Sequence, residues 1–96
     1  MAKFLVRVKL QQPDDGDYVK LHGAMKDRGF VQTIPTGAGL RSLPDAEYFF
    51  ESELSAVGVS DLALEAANET EKKSRIVAAQ MATYHTQGLD LAEASE

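Results

Sequence analysis

Residues 3–10 read KFLVRVKL, and this stretch alternates between two faces. The apolar face consists of Phe4, Val6, Val8 and Leu10. The other face is largely cationic and consists of Lys3, Leu5, Arg7 and Lys9. Alternation with a period of two is typical of a strand that is buried on one side only. We therefore expect a strand with its apolar face in the core and a cationic outer face that is the best candidate for an anion-binding surface.

The composition limits what the chain can do. With 96 residues, of which 44% are hydrophobic and 26% charged, it is long enough for one globular domain and its own core. The absence of cysteine excludes disulfides, thiolate metal sites and cysteine nucleophiles. A net charge of -5 disfavours general attraction to phosphate polymers, so nucleic-acid binding would need a local basic patch. No apolar run is long enough for a membrane span or a secretory signal, so we expect a cytoplasmic location and no membrane partner.

The remaining pattern predicts two helices and further strands. In chain order we expect a helix from Asp14 or Asp15 to Gly29 and strands over 30–34 and 47–51. A second helix follows, with Ser60 as its N-cap unless residues 54–59 also belong to it, and then a segment over 75–84 that fits a strand or a helix. This order predicts an α+β fold, specifically a ferredoxin-like βαββαβ sandwich with a four-stranded antiparallel sheet and two helices on one face. Residues 1–84 would form this single domain, and the acidic residues 85–96 a flexible tail.

The predicted topology also says which side chains meet on the uncovered face of the sheet. Because the first and third strands are neighbours in this topology, Lys3, Arg7 and Lys9 should stand beside Glu47 and Glu51. Leu5 should lie near Phe49. This face suits either paired charges around an apolar contact surface or the backbone of a nucleic acid.

Several residues of the first half resemble, at matching spacings, the small GhoS-like family. They are Val6, Leu21, Met25, Asp27, Phe30, Gly39 and Phe49. Members of that family are antitoxin endoribonucleases, with a fold similar to that of small CRISPR-associated nucleases. The resemblance covers about residues 3–50, and it implies a ferredoxin-like fold and cleavage of single-stranded messenger RNA.

The chain departs from these relatives at two places. Where the CRISPR-associated nucleases carry an acidic metal ligand, this sequence reads Lys9-Leu10-Gln11, and a lysine there repels a hard cation. We therefore expect no metal and no other cofactor. Where the GhoS-like family has arginines on its first helix, this chain has Lys20 and His22.

The candidate residues follow from this resemblance and from side-chain chemistry. His22 would be the general base, with Lys20 or Arg28 stabilising charge. The residues that would position phosphate are Arg7, Lys9 and Arg41. Metal binding by the two histidines is disfavoured because His85 has no partner at ligand spacing.

Other interpretations of the same sequence stay open at this point. The first is a non-catalytic module that forms a homodimer or docks a partner protein through Leu5 and Phe49. The second is a small-molecule enzyme of the dimeric ferredoxin-like type, for which the chain has no recognisable acid-base pair. The acidic run at Asp14, Asp15 and Asp17 is explained by helix capping, and residues 36–39 by a turn.

Overall fold

Five strands and two helices follow one another in residues 1–92, the part of the chain that this computed structural model describes. In order they are β1 (Ala2–Leu10), α1 (Asp17–Asp27), β2 (Thr33–Thr36), β3 (Gly39–Ser42), β4 (Glu47–Ser52), α2 (Ala56–Asn68) and β5 (Ser74–Met81). An antiparallel sheet has the order β4-β1-β5, and β2 and β3 form a separate hairpin. The fold is α+β, as predicted.

The predicted four-stranded sheet is not clearly formed. The strand expected over 30–34 instead runs from Thr33 to Thr36 and pairs with β3. Its link to the main sheet is one bridge, in which Val31 and Phe49 exchange backbone hydrogen bonds of 3.0 and 2.7 Å. Pro35 lies inside β2 and has no N–H to donate, so this segment is poorly suited to a second ladder.

The predicted register between β1 and β4 is confirmed for Lys3, Leu5 and Arg7, but Lys9 lies beyond the end of β4 and faces Arg75 on β5. Lys3 pairs with Glu51, Leu5 with Phe49 and Arg7 with Glu47. The alternating apolar residues of β1 are at most 1% exposed and lie in the core. The segment left open as strand or helix is a strand, β5, which pairs with β1 from Ser74 opposite Leu10 to Met81 opposite Lys3.

α1 starts later than the sequence predicted, and α2 starts within residues 54–59, the stretch that the sequence left open. α1 begins at Asp17 because Gly16 takes a left-handed conformation, with φ 87°, directly before it. Asp17 then accepts a hydrogen bond from the Asp14 backbone N–H at 2.7 Å. α2 begins at Ala56, before the predicted Ser60, because the Ser55 hydroxyl accepts a hydrogen bond from the Gly58 N–H at 3.2 Å and caps the helix.

The helices and the inner face of the sheet enclose one core. α1 contributes Leu21 and Met25, and α2 contributes Val59 and Ala63, all of them fully buried. Neither helix in residues 1–92 is long and apolar enough to cross a membrane.

The outer face of the sheet is partly covered rather than open. Tyr84 packs edge-on against Phe49, with ring centroids 6.3 Å apart, and its hydroxyl donates to the Pro35 carbonyl at 2.5 Å. As a result Phe49 is only 4% exposed and Leu5 is half-buried. The predicted contact surface at Leu5 and Phe49 therefore lies largely beneath the chain's own residues.

The segment after Tyr84 continues along the hairpin. Ser42 N–H donates to the Asp90 carbonyl at 2.8 Å, and Ala92 N–H donates to the Leu40 carbonyl at 3.2 Å. Asp90 and Ala92, within the expected tail, are thus hydrogen-bonded to β3. The rest of that expectation, over residues 93–96, lies outside the described residues.

Candidate functional site

A cavity of about 340 Å³ lies where the end of β1 meets α1 and the loop before β4. Its walls are formed by Arg7, Val8, Lys9, Tyr18, His22, Asp45 and Ala46. Three of the residues chosen from the sequence, Arg7, Lys9 and His22, therefore meet at one place. The volume is within the lower range of small-molecule and substrate sites.

Backbone contacts fix the walls of this cavity. Val8 N–H donates to the Ala46 carbonyl at 3.0 Å, which ties the loop before β4 to β1. Ala46 has a φ of 68°, a conformation that non-glycine residues rarely adopt and that often accompanies functional sites. On the other wall, the Tyr18 hydroxyl accepts a hydrogen bond from Leu10 N–H at 3.0 Å and holds α1 against β1.

His22 lies between two tyrosines. Its Nδ1 is 2.5 Å from the hydroxyl of Tyr48, a residue that is 1% exposed and anchored in the core. The imidazole centroid is 5.8 Å from the Tyr48 ring and 6.3 Å from the Tyr18 ring. Because the contact to Tyr48 uses Nδ1, Nε2 is the nitrogen left for a bound group. The imidazole is thus oriented by a rigid partner, as a general base requires.

The environment favours the uncharged forms of both side chains. Burial lowers the pKa of His22, and the nearby Asp45 carboxylate acts in the opposite direction with a smaller effect. Burial also raises the pKa of Tyr48, with further increases from Tyr18 and Asp45. At neutral pH His22 is therefore a neutral imidazole that can accept a proton, and Tyr48 keeps its hydroxyl proton.

The lowered pKa of His22 makes the stability of the fold depend on pH. Because His22 binds its proton less tightly in the folded chain than in the unfolded chain, its contribution to stability is present above a pH of about 6.5 and is lost as the pH falls through the lower folded pKa. We expect the His22→Gln variant to lose less stability than the wild type between about pH 8 and pH 5. Urea denaturation at several pH values measures the difference. His85→Gln is the control, and an identical pH dependence in wild type and His22→Gln would contradict the expectation.

Two of the predicted catalytic residues do not line this cavity. The Arg28 guanidinium donates to the Glu69 carboxylate at 2.7 Å and to the Ala24 carbonyl at 2.9 Å. A carboxylate oxygen of Glu65 lies 3.8 Å from Arg28 Nε. Arg28 therefore links α1 to α2. Lys20 is exposed on α1, and residues two apart on a helix do not face the same way, so its position differs from that of His22.

Three basic side chains lie close together on the outer face of the sheet, and the sequence interpretation groups only two of them, Arg7 and Lys9. β5 places Arg75 directly opposite Lys9, and both side chains are exposed. Like charges facing each other across strands are unfavourable unless something neutralises them. Arg7 is neighboured by Glu47, but the Nε–Oε2 distance of 4.0 Å is long and 72% of the Arg7 side chain is exposed. We call Arg7, Lys9 and Arg75 the basic end of the sheet.

Arg41 lies in a different place from Arg7 and Lys9. It lines a second, larger cavity of about 780 Å³, together with Lys3, Tyr84 and His85. The phosphate-positioning residues predicted from the sequence are therefore divided between two sites.

The sequence interpretation missed Tyr18, Asp45, Tyr48 and Arg75. Tyr18 precedes His22 by four residues, a spacing that places both on one side of a helix and was a usable signal. The position of Asp45 depends on the unusual backbone at Ala46, for which the sequence carries no clear signal.

No group of three or more histidine and acidic side chains within residues 1–92 is arranged to hold a metal ion. No protein-family model matches this chain, and no curated protein matches it either.

Proposed function

We propose that this protein binds single-stranded RNA at the basic end of its sheet and cleaves it without a metal, with His22 as the general base. The observation that carries this proposal is the cavity in which Arg7, Lys9 and His22 meet. Two cations and an oriented, neutral imidazole in the walls of one cavity are groups of the kind that phosphodiester cleavage needs. The resemblance of residues 3–50 to the GhoS-like antitoxin endoribonucleases agrees with this chemistry.

We also propose that the fold is a degenerate ferredoxin-like sandwich. The strand order β4-β1-β5, with β1 central and antiparallel to both neighbours, matches three of the four strands of that topology. The bridge between Val31 and Phe49 lies on the free side of β4, where the fourth strand of the topology would run. The hairpin of β2 and β3 replaces the rest of that strand.

Binding would depend on the local charge and not on the net charge. The chain is acidic overall, with a net charge of -5, so phosphate is attracted only where cations are concentrated. Within residues 1–92, Glu47 is the one carboxylate within 4.0 Å of these three exposed cations, and Asp45 also lines the cavity beside Arg7 and Lys9. A phosphate between Lys9 and Arg75 would remove the repulsion between them.

The cleavage step uses His22 and the two neighbouring cations. The contact joins His22 Nδ1 and the Tyr48 hydroxyl oxygen. In the tautomer that this step requires, Nδ1–H donates to that oxygen, and the lone pair on Nε2 accepts the proton of the ribose 2′-hydroxyl. The 2′-oxygen bonds to the adjacent phosphorus as the bond from phosphorus to the 5′-oxygen breaks, and the leaving oxygen takes a proton from water. The resulting hydroxide takes the proton back from His22. The products are a 2′,3′-cyclic phosphate and a 5′-hydroxyl end, and Arg7 and Lys9 stabilise the charge that develops on the phosphoryl oxygens.

A second candidate is a non-catalytic module that self-associates through the outer face. The observation that favours it is Val77, which lies opposite Arg7 on that face and is 63% exposed. Concentration-dependent sedimentation of the wild type that disappears in Val77→Ser would support this module. Sedimentation as a monomer at all concentrations would exclude it.

RNA binding at the basic end predicts a specific salt dependence. We expect Lys9→Gln and Arg75→Gln each to weaken binding of a short single-stranded RNA and to reduce the slope of log affinity against log salt by about 0.7, because each removes one phosphate contact. Fluorescence anisotropy between about 50 and 200 mM salt measures both quantities.

The matched control for these variants is Lys26→Gln, an exposed lysine on α1 with the same charge change. It should leave the slope unchanged. An equal loss in all three variants would mean that only the overall charge matters, and it would contradict a binding site at the basic end.

A further inference from the structure

The larger cavity lies at the other end of β1 from His22. It is bounded by the turn between β2 and β3 and by residues 84–89, and it has a volume of about 780 Å³. Lys3 and Lys9 are six residues apart on one strand, which corresponds to about 20 Å. The two cavities are therefore separate sites.

Hydrogen bonds hold the walls of the larger cavity in place. The Tyr84 hydroxyl donates to the Pro35 carbonyl at 2.5 Å, which joins the C-terminal segment to β2. Within the turn, the Thr36 hydroxyl donates to the Gly39 carbonyl at 2.7 Å and accepts from Ala38 N–H at 3.1 Å. The bridge between Arg41 and Leu91 joins the same segment to β3. The cavity is therefore preformed and needs no large rearrangement to accept a ligand.

The charged residues of this cavity are all basic. These charged residues are Lys3 and Arg41, the imidazole of His85 also lines the cavity, and none of its described lining residues is acidic. Neither Lys3 nor Arg41 forms an ion pair with a carboxylate in residues 1–92. Arg41 is also half-buried, and a partly desolvated guanidinium favours a planar, bidentate anion contact. Glu51 is the cross-strand neighbour of Lys3 but does not form an ion pair with it. In an acidic chain, two cations without an ion-pair partner in residues 1–92 suit a phosphate group.

An aromatic ring accompanies the cations. Tyr84 is held by its hydrogen bond to Pro35 and by its edge contact with Phe49, so its ring has a fixed orientation in the wall. A fixed aromatic ring near cations is a common arrangement for stacking a nucleobase while its phosphate is bound. The volume is within the range of small-molecule sites.

We infer that this cavity binds a nucleoside monophosphate, with its phosphate at Lys3, Arg41 and His85 and its base against Tyr84. The ligand is either a free nucleotide or the 5′-terminal nucleotide of an RNA, since both present the same chemical group. This site is distinct from the one proposed for cleavage, and it does not depend on His22.

Titration of the full chain with adenosine monophosphate, followed by calorimetry, tests the inference. We expect adenosine, which lacks the phosphate, to bind at least about 10-fold more weakly, because it loses charge-assisted hydrogen bonds. Arg41→Gln should weaken binding of the nucleotide to a similar extent, and so should Lys3→Gln, whose exposed side chain can be replaced without disturbing the fold. Lys26→Gln, an exposed lysine on α1 that lines neither cavity, should have no effect.

Equal affinities for adenosine monophosphate and adenosine would overturn the inference. So would unchanged nucleotide binding in both Arg41→Gln and Lys3→Gln. Competition distinguishes the two sources of the ligand: displacement of the nucleotide by an RNA with a 5′-phosphate, but not by the same RNA with a 5′-hydroxyl, assigns the site to an RNA end. Nucleotide binding without displacement by either RNA assigns it to a free nucleotide.

Discussion

Replacing His22 with Gln is expected to lower the rate of RNA cleavage by about 100-fold or more, because a positioned general base contributes about 10²- to 10⁴-fold. Glutamine keeps a polar group near the Tyr48 hydroxyl but has no nitrogen that can take up the 2′-hydroxyl proton. The measurement is single-turnover cleavage of an end-labelled single-stranded RNA, with the cyclic phosphate end identified in the product.

Two controls separate catalysis from binding and folding. Lys26→Gln changes a different, exposed residue of α1, which lines neither cavity, and it should cleave at the wild-type rate. RNA affinity of His22→Gln should stay close to that of the wild type, since Arg7 and Lys9 are unchanged. If His22→Gln cleaves as fast as the wild type while remaining folded, His22 is not the base.

Replacing Phe30 with Ala is expected to lower the free energy of unfolding by about 3–5 kcal/mol, because it deletes a buried ring and leaves a cavity. Phe30 is 1% exposed and stacks on Phe50, with ring centroids 4.1 Å apart and planes at 22°. Urea denaturation of wild type and variant gives the difference.

Val57→Ala is the matched control for this large-to-small change. Val57 lies on α2 and is 71% exposed, so its replacement should change stability by no more than about 0.5 kcal/mol. Similar losses in both variants would mean that Phe30 is not part of the core.

The part of the fold that could be predicted depends on local pattern. Alternation in residues 3–10 predicted both the buried face of β1 and, through the expected topology, its register with Glu47 and Glu51 on β4. Such a pattern is reliable because a shift by one residue would turn every apolar side chain to the wrong face. The C-terminal end of α1, near Gly29, was predicted for a similar local reason.

What could not be predicted depends on contacts between distant residues. The cover over Phe49 comes from Tyr84, whose hydroxyl bonds to Pro35, 49 residues away. β5 fits strand and helix periodicity alike, so Arg75 could not be placed opposite Lys9 from the sequence. The pairing of β5 with β1 is what places Arg75 beside Lys9.

In the candidate site, too, local features could be predicted and contacts between distant residues could not. Chemistry alone identified His22, but its nearness in sequence to Lys20 was misleading, since side chains two residues apart on a helix point in different directions. The groups around His22 are instead Tyr18, which lies four residues earlier on the same helix, and Tyr48 and Asp45, which are distant from His22 in sequence.

The most direct test of RNA binding at the basic end is a nuclear magnetic resonance titration of the labelled protein with a single-stranded RNA that lacks the 2′-hydroxyl at the cleavage position. We expect shifts in the amides of Arg7, Lys9 and Arg75 and in the His22 ring, all of which should weaken steeply as salt is raised. Unchanged signals at these four residues in low salt would contradict the proposed function.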